Sequence, residues 1–92
     1  MAPTALVTIQ LDGWPPPIIE IHALIAALPR VRPGSQDTPA NVIQHLNEVV
    51  LAFPATEPNS PTAIARVRAV ARAALASTCD GAFHVTRARI TP

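Results

Sequence analysis

Eleven prolines in 92 residues decide how this chain can be cut into elements. A proline ring fixes φ, removes an amide donor, and breaks helix interiors and central strands alike. The longer proline-free stretches are residues 4–14, 18–28, 40–53 and 62–91, and regular structure has to fit inside them. The last of these carries Gly81 near its middle, so it divides into two elements.

Residues 4–11 (TALVTIQL) put Ala5, Val7, Ile9 and Leu11 on one side of a strand. Asp12-Gly13 is a turn signal, but Pro15 to Pro17 cannot donate to a ladder, so a stiff elbow is expected in place of a return strand. Residues 18–28 read as a helix through Ile18, Ile21, Ile25 and Leu28, although Ile18-Ile19-Glu20-Ile21 also suits a strand. Thr38-Pro39 then looks like a cap and a first helical turn. Val42, Ile43, Leu46, Val49, Val50 and Phe53 follow at helical spacing up to Pro54.

Ser60-Pro61 repeats that opening, and a second firm helix is expected over residues 61–78, burying Ile64, Val67, Ala71, Ala74 and Leu75 before Gly81 stops it. Residues 82–91 return to strand composition. The expected architecture is one α+β domain spanning residues 1–92, with the N- and C-terminal strands in a small sheet covered by two or three helices. In that scheme Ile43, Leu46, Val50 and Phe53 pack against the second helix, and truncating Leu46 to alanine would cost about 2–5 kcal/mol.

Seventeen alanines and only three aromatics, Trp14, Phe53 and Phe83, make such a core thin per residue, so a partner surface would stabilise the domain. With no Lys and no Tyr, Schiff-base chemistry, P-loop phosphate binding and tyrosine acid–base work are excluded. A lone Cys79 cannot form an internal disulfide and suits a reducing compartment. Met1-Ala2-Pro3-Thr4 has no basic n-region, and the apolar run 18–28 is too short for a bilayer, so a cytoplasmic chain without membrane contact is expected.

No catalytic or metal constellation emerges. His22, His45, Cys79 and His84 fall on different elements without paired-ligand spacing, and the acids are scattered. Cys79 with His84 is the one pairing that suggests a nucleophile, but a helix C-terminus disfavours a thiolate. No cofactor or small-molecule ligand is expected.

The charge layout says more. Residues 1–60 set Arg30 and Arg32 against Asp12, Glu20, Asp37, Glu48 and Glu57, a net of −3. Residues 61–92 set Arg66, Arg68, Arg72, Arg87 and Arg89 against Asp80, a net of +4. On the second helix, Ala65, Ala69, Ala73 and Ala76 lie opposite the core stripe, bordered by Arg66, Arg68 and Arg72. That strip would let another helix or sheet approach closely, unless it only reflects alanine's helix propensity.

The expectation is a non-enzymatic assembly protein, binding itself or another protein, of the kind that builds rings or sheaths such as small phage connectors or tail components in a virion. The alternative is a small nucleic-acid-binding or regulatory protein using the basic C-terminal third, with Arg87 and Arg89, which share one face of the last strand, as candidate contacts.

Overall fold

A computed structural model describes residues 3–29 and 40–91. Its elements run β1 (Thr4–Leu11), α1 (Ile21–Ala27), β2 (Asn41–His45), β3 (Glu48–Pro54), α2 (Pro61–Ala76) and β4 (Phe83–Thr91). The four strands form one antiparallel sheet in the order β2-β3-β1-β4. Each helix links two strands that have a third inserted between them, so a split β-α-β unit occurs twice. The fold is α+β, as the segment pattern predicts. The terminal strands β1 and β4 pair antiparallel, but they are half of the sheet and not the whole of it.

β1 is central and follows its alternation strictly: Ala5, Val7, Ile9 and Leu11 are buried while Thr4, Leu6, Thr8 and Gln10 face the other way. β3 adds Val49, Leu51 and Phe53 to the same inner face. The helices cover that face through Leu24 and Leu28 from α1 and its end, and Ala63, Val67, Ala71, Ala74 and Leu75 from α2. Together they make one core. Ile64, expected in the buried stripe of α2, is half-buried at its edge, and Ala63 takes the interior position.

The largest departure from the sequence expectation is residues 40–53, which form the β2–β3 hairpin and not a helix. Val49, Leu51 and Phe53 also satisfy a period of two, and the β-branched residues of this stretch suit a pleated surface. Leu46 and Asn47 form its two-residue turn, Leu46 in the left-handed region at φ 55. Ile43 and Leu46 are therefore 60% and 58% exposed, and Val50 lies on the outer face. Of the four residues expected to meet α2, Phe53 alone points into the core. Thr38, the expected cap, lies outside the described residues.

Two further corrections concern the elbow. α1 starts at Ile21, so Ile18 is exposed and Pro17 is not its first residue. The chain before it pairs with the exit of α2: Ile19 bridges Cys79, Glu20 N donates to Thr78 O (3.1 Å) and Asp80 N donates to Ile18 O (3.0 Å). α2 itself ends at Ala76, where the Ser77 and Thr78 hydroxyls donate back to Ala74 O. Gly81 is thus no helix cap. A Cβ there would sit 2.6 Å from Pro17 Cγ, so glycine is required by the close approach of the elbow. At its other end α2 opens as the sequence predicts, with Ser60 Oγ accepting from Ala63 N at 3.1 Å.

Candidate functional site

The helix layer carries the first candidate surface. Ala65, Ala69, Ala73 and Ala76 are exposed on α2, and Ala23, Ala26 and Ala27 are exposed on α1. Arg66 pairs with Glu57, and Arg68 and Arg72 border the strip, Arg68 half-buried. Ala73 also lines an open groove with Ala27, Leu28, Pro29, Val70, Ala74 and Ser77. The expected small-residue strip is therefore present and solvent-facing, but it offers little beyond smallness. Its arginines stand at the rim, and one of them is already paired.

The opposite side of the sheet is the second candidate. No helix covers it among the described residues. The pairing registers lay out its side chains in rows across the four strands. One row reads Ile43, Val50, Thr8, Arg87; the next on one side reads Asn41, Ala52, Leu6, Arg89; the next on the other reads His45, Glu48, Gln10, His84. A bulge in β4 creates this arrangement. Thr8 opposes Arg87 whereas Ile9 opposes Val85, leaving Thr86 as the extra residue, its hydroxyl donating to Thr8 O at 3.1 Å. The inward set therefore changes from Phe83 and Val85 to Ala88 and Ile90, while His84, Arg87 and Arg89 all face outward.

This outer face is apolar in its middle and charged toward its sides. Leu6, Val50 and Ala52 are half-buried by their neighbours, and Ile43 stands out beside them. Thr8, Glu48, Thr86 and Arg87 line an open hollow of about 370 Å³, with the carboxylate on one wall and the guanidinium on the other. Arg87 and Arg89 make no ion pair with any described residue, and His84 Nδ1 lies 3.5 Å from Asp12 Oδ1. At the hairpin end of the sheet, Leu11 N donates to Asn47 O (2.7 Å) and Asn47 Nδ2 donates to Gly13 O (3.3 Å). These bonds hold the turn with Leu46 against the elbow that carries Trp14, 74% exposed.

The sequence pointed to Arg87 and Arg89 on this face but missed Leu6, Ile43, Glu48, Val50 and Ala52. Reading residues 40–53 as a helix hid four of these five. Leu6, on the non-core side of a clearly alternating strand, was the signal available.

The apolar pocket lined in part by Phe53, Ala55, Ala63, Val67, Val70 and Ile90 holds about 80 Å³, well under the roughly 300 Å³ where small-molecule sites begin. Among the described residues no three His, Cys, Asp or Glu side chains gather as metal ligands. Burial pushes the Cys79 thiol above its ordinary pKa, opposed by a backbone hydrogen bond at Gly81 and reinforced by Asp80. That keeps it in the less nucleophilic neutral form. His84 Nδ1 faces Asp12, while Cys79 Sγ donates to Gly81 O at 3.7 Å. No helix among the described residues is long and apolar enough to cross a membrane.

Comparison of the chain with protein-family models, with curated proteins and with solved structures finds no match in any of the three.

Proposed function

We propose that this chain is a non-enzymatic assembly protein that joins copies of itself. The observation that carries the reading is the sheet face that no helix covers among the described residues, where Leu6, Ile43, Val50 and Ala52 stand on the side opposite both helices. Antiparallel sheets can face water on one side, and eight of the twelve residues in these rows are polar, but the four apolar ones stand together as one patch on neighbouring strands. An apolar centre with charged margins is the composition of a protein–protein patch. Trp14 and Leu46, exposed at the hairpin end, enlarge the apolar surface a partner could take up.

Nucleic-acid binding draws on Arg87 and Arg89 and is the weaker reading. Sheet platforms that hold single strands stack bases on aromatic rings. Among the described strands, Phe53 and Phe83 both belong to the inner side, and the outer rows contain no aromatic residue. Glu48 on the same face would also repel phosphate. A ring or sheath subunit of a phage particle remains one way such a protein could be used.

The test is the mass of the chain in solution between about 5 and 500 μM. An assembly protein shows a mass above 9.7 kDa that grows with concentration. A chain that stays at 9.7 kDa throughout is not one.

A further inference from the structure

We infer that the partner on the open sheet face is a second copy of this chain, docked face to face about a two-fold axis that runs along β1, with Arg87 of each copy meeting the partner's Glu48. This rests on the assembly reading above and adds the surface, the symmetry and the pairing.

The charges select the geometry. Two identical sheet faces packed with their strands aligned are related by a two-fold axis in the plane between them, either along the strands or across them. An axis across the strands lays β4 on the partner's β4, so Arg87 and Arg89 confront the same cations. Like charges in register oppose association. An axis along the central strand reverses the order of strands instead, so β4 of one copy lies over the partner's β3.

Glu48 and Arg87 stand on strands flanking β1, one residue pair apart along it, since Gln10 opposes Glu48 and Thr8 opposes Arg87. Strand residues two apart are separated by about 7 Å, and packed sheets by about 10 Å. Arg87 and the partner's Glu48 then lie about 12 Å apart at their Cα atoms, which the two long side chains can span. The symmetry makes the pairing twice. Leu6 meets its counterpart on the axis between the two ion pairs, and Val50 and Ala52 lie under the aliphatic stems of the partner's Arg87 and Arg89.

The size of the face sets the strength. Three to four strands at about 4.8 Å spacing, each roughly 20 Å long, give a flat footprint of some 300–400 Å² per copy. That is well below the roughly 800 Å² per partner of a standard stable interface. The dimer should be weak, with a dissociation constant in the micromolar range or above, and sensitive to salt because its ion pairs sit at the margins. The hollow at Thr8 and Thr86 stays hydrated within it.

Sedimentation velocity on the full chain and three variants tests this. Glu48→Arg and Arg87→Glu should each weaken dimerisation about tenfold or more, by turning two attractions into two repulsions. The combined Glu48→Arg, Arg87→Glu protein should return to within about threefold of wild type, because the exchange restores both pairs. Circular dichroism reports whether each variant folds. Should Glu48→Arg unfold the hairpin, Arg87→Glu on the edge strand and its reversal at high salt carry the same comparison.

An oligomer indifferent to all three substitutions, but broken by Ala69→Glu, overturns this interface while leaving the assembly reading intact. A 9.7 kDa species at every concentration and salt overturns both. A monomer that binds single- or double-stranded DNA through Arg87 and Arg89 overturns both in favour of the nucleic-acid reading.

Discussion

The two faces of the sheet are built from the same strands and differ in almost everything else. On the inner face Ala5, Val7, Ile9, Leu11, Val49 and Leu51 are fully buried under two helices. On the outer face their sequence neighbours Leu6, Thr8, Gln10, Glu48, Val50 and Ala52 alternate with them and meet no helix among the described residues. Alternation usually turns this into a dry side and a wet side. Here the outer face has kept Leu6, Val50 and Ala52 on its two central strands beside Ile43 on the edge strand β2, with Arg87 and Arg89 on the other edge and Glu48 at the hairpin end. The inner face accounts for folding, and the outer face is the one we propose for a partner. A partner-dependent role for one face and a stability role for the other predict different mutational consequences for residues one position apart.

The largest effect belongs to the inner face. Leu51→Ala removes a fully buried side chain and should cost about 2–5 kcal/mol in a urea titration. Val50→Ala, its neighbour on the outer face, should cost under about 1 kcal/mol in the dilute chain and act mainly on association. Equal costs would erase the distinction between the faces. Next comes the attachment of the elbow to the exit of α2. Gly81→Ala drives a Cβ into the Pro17 ring and should cost roughly 1–3 kcal/mol, measured as a lowered urea midpoint. The cap of α2, which holds the helix layer over the inner face, comes third: Ser60→Ala should cost about 1 kcal/mol in the same assay.

The smallest of these effects has the opposite sign. Leu46 holds φ 55 in the hairpin turn with its side chain largely in solvent. Leu46→Gly should therefore stabilise the chain by up to about 1 kcal/mol, where a core leucine would lose several. Destabilisation by more than 2 kcal/mol would mean that this residue packs inside after all.

That leucine also shows where the sequence was legible and where it was not. α2 could be read because several signals agree on it: a Ser-Pro start, alanine-rich propensity and an apolar stripe. β1 and β4 could be read from β-branched residues at their proper spacing, and simple alternation puts Arg87 and Arg89 on one face of β4. Residues 40–53 were misread because a hairpin without glycine leaves no local mark. Two strands of apolar pairs joined by Leu46-Asn47 reproduce helical spacing by coincidence, and only pairing with β1 decides the matter. The outer face followed from that pairing and was hidden with it. The alanine strip was legible, but exposure of small residues does not say whether anything rests on them.

The central claim is that the open sheet face, and not the alanine surface of the helices, is where copies meet. A dilution series of amide spectra from about 1 mM to 20 μM tests it residue by residue. The account predicts concentration-dependent shifts at Leu6, Thr8, Glu48, Val50 and Arg87, with Ala65, Ala69 and Ala73 unmoved. Shifts confined to the α2 alanines, or none anywhere across the range, would contradict it.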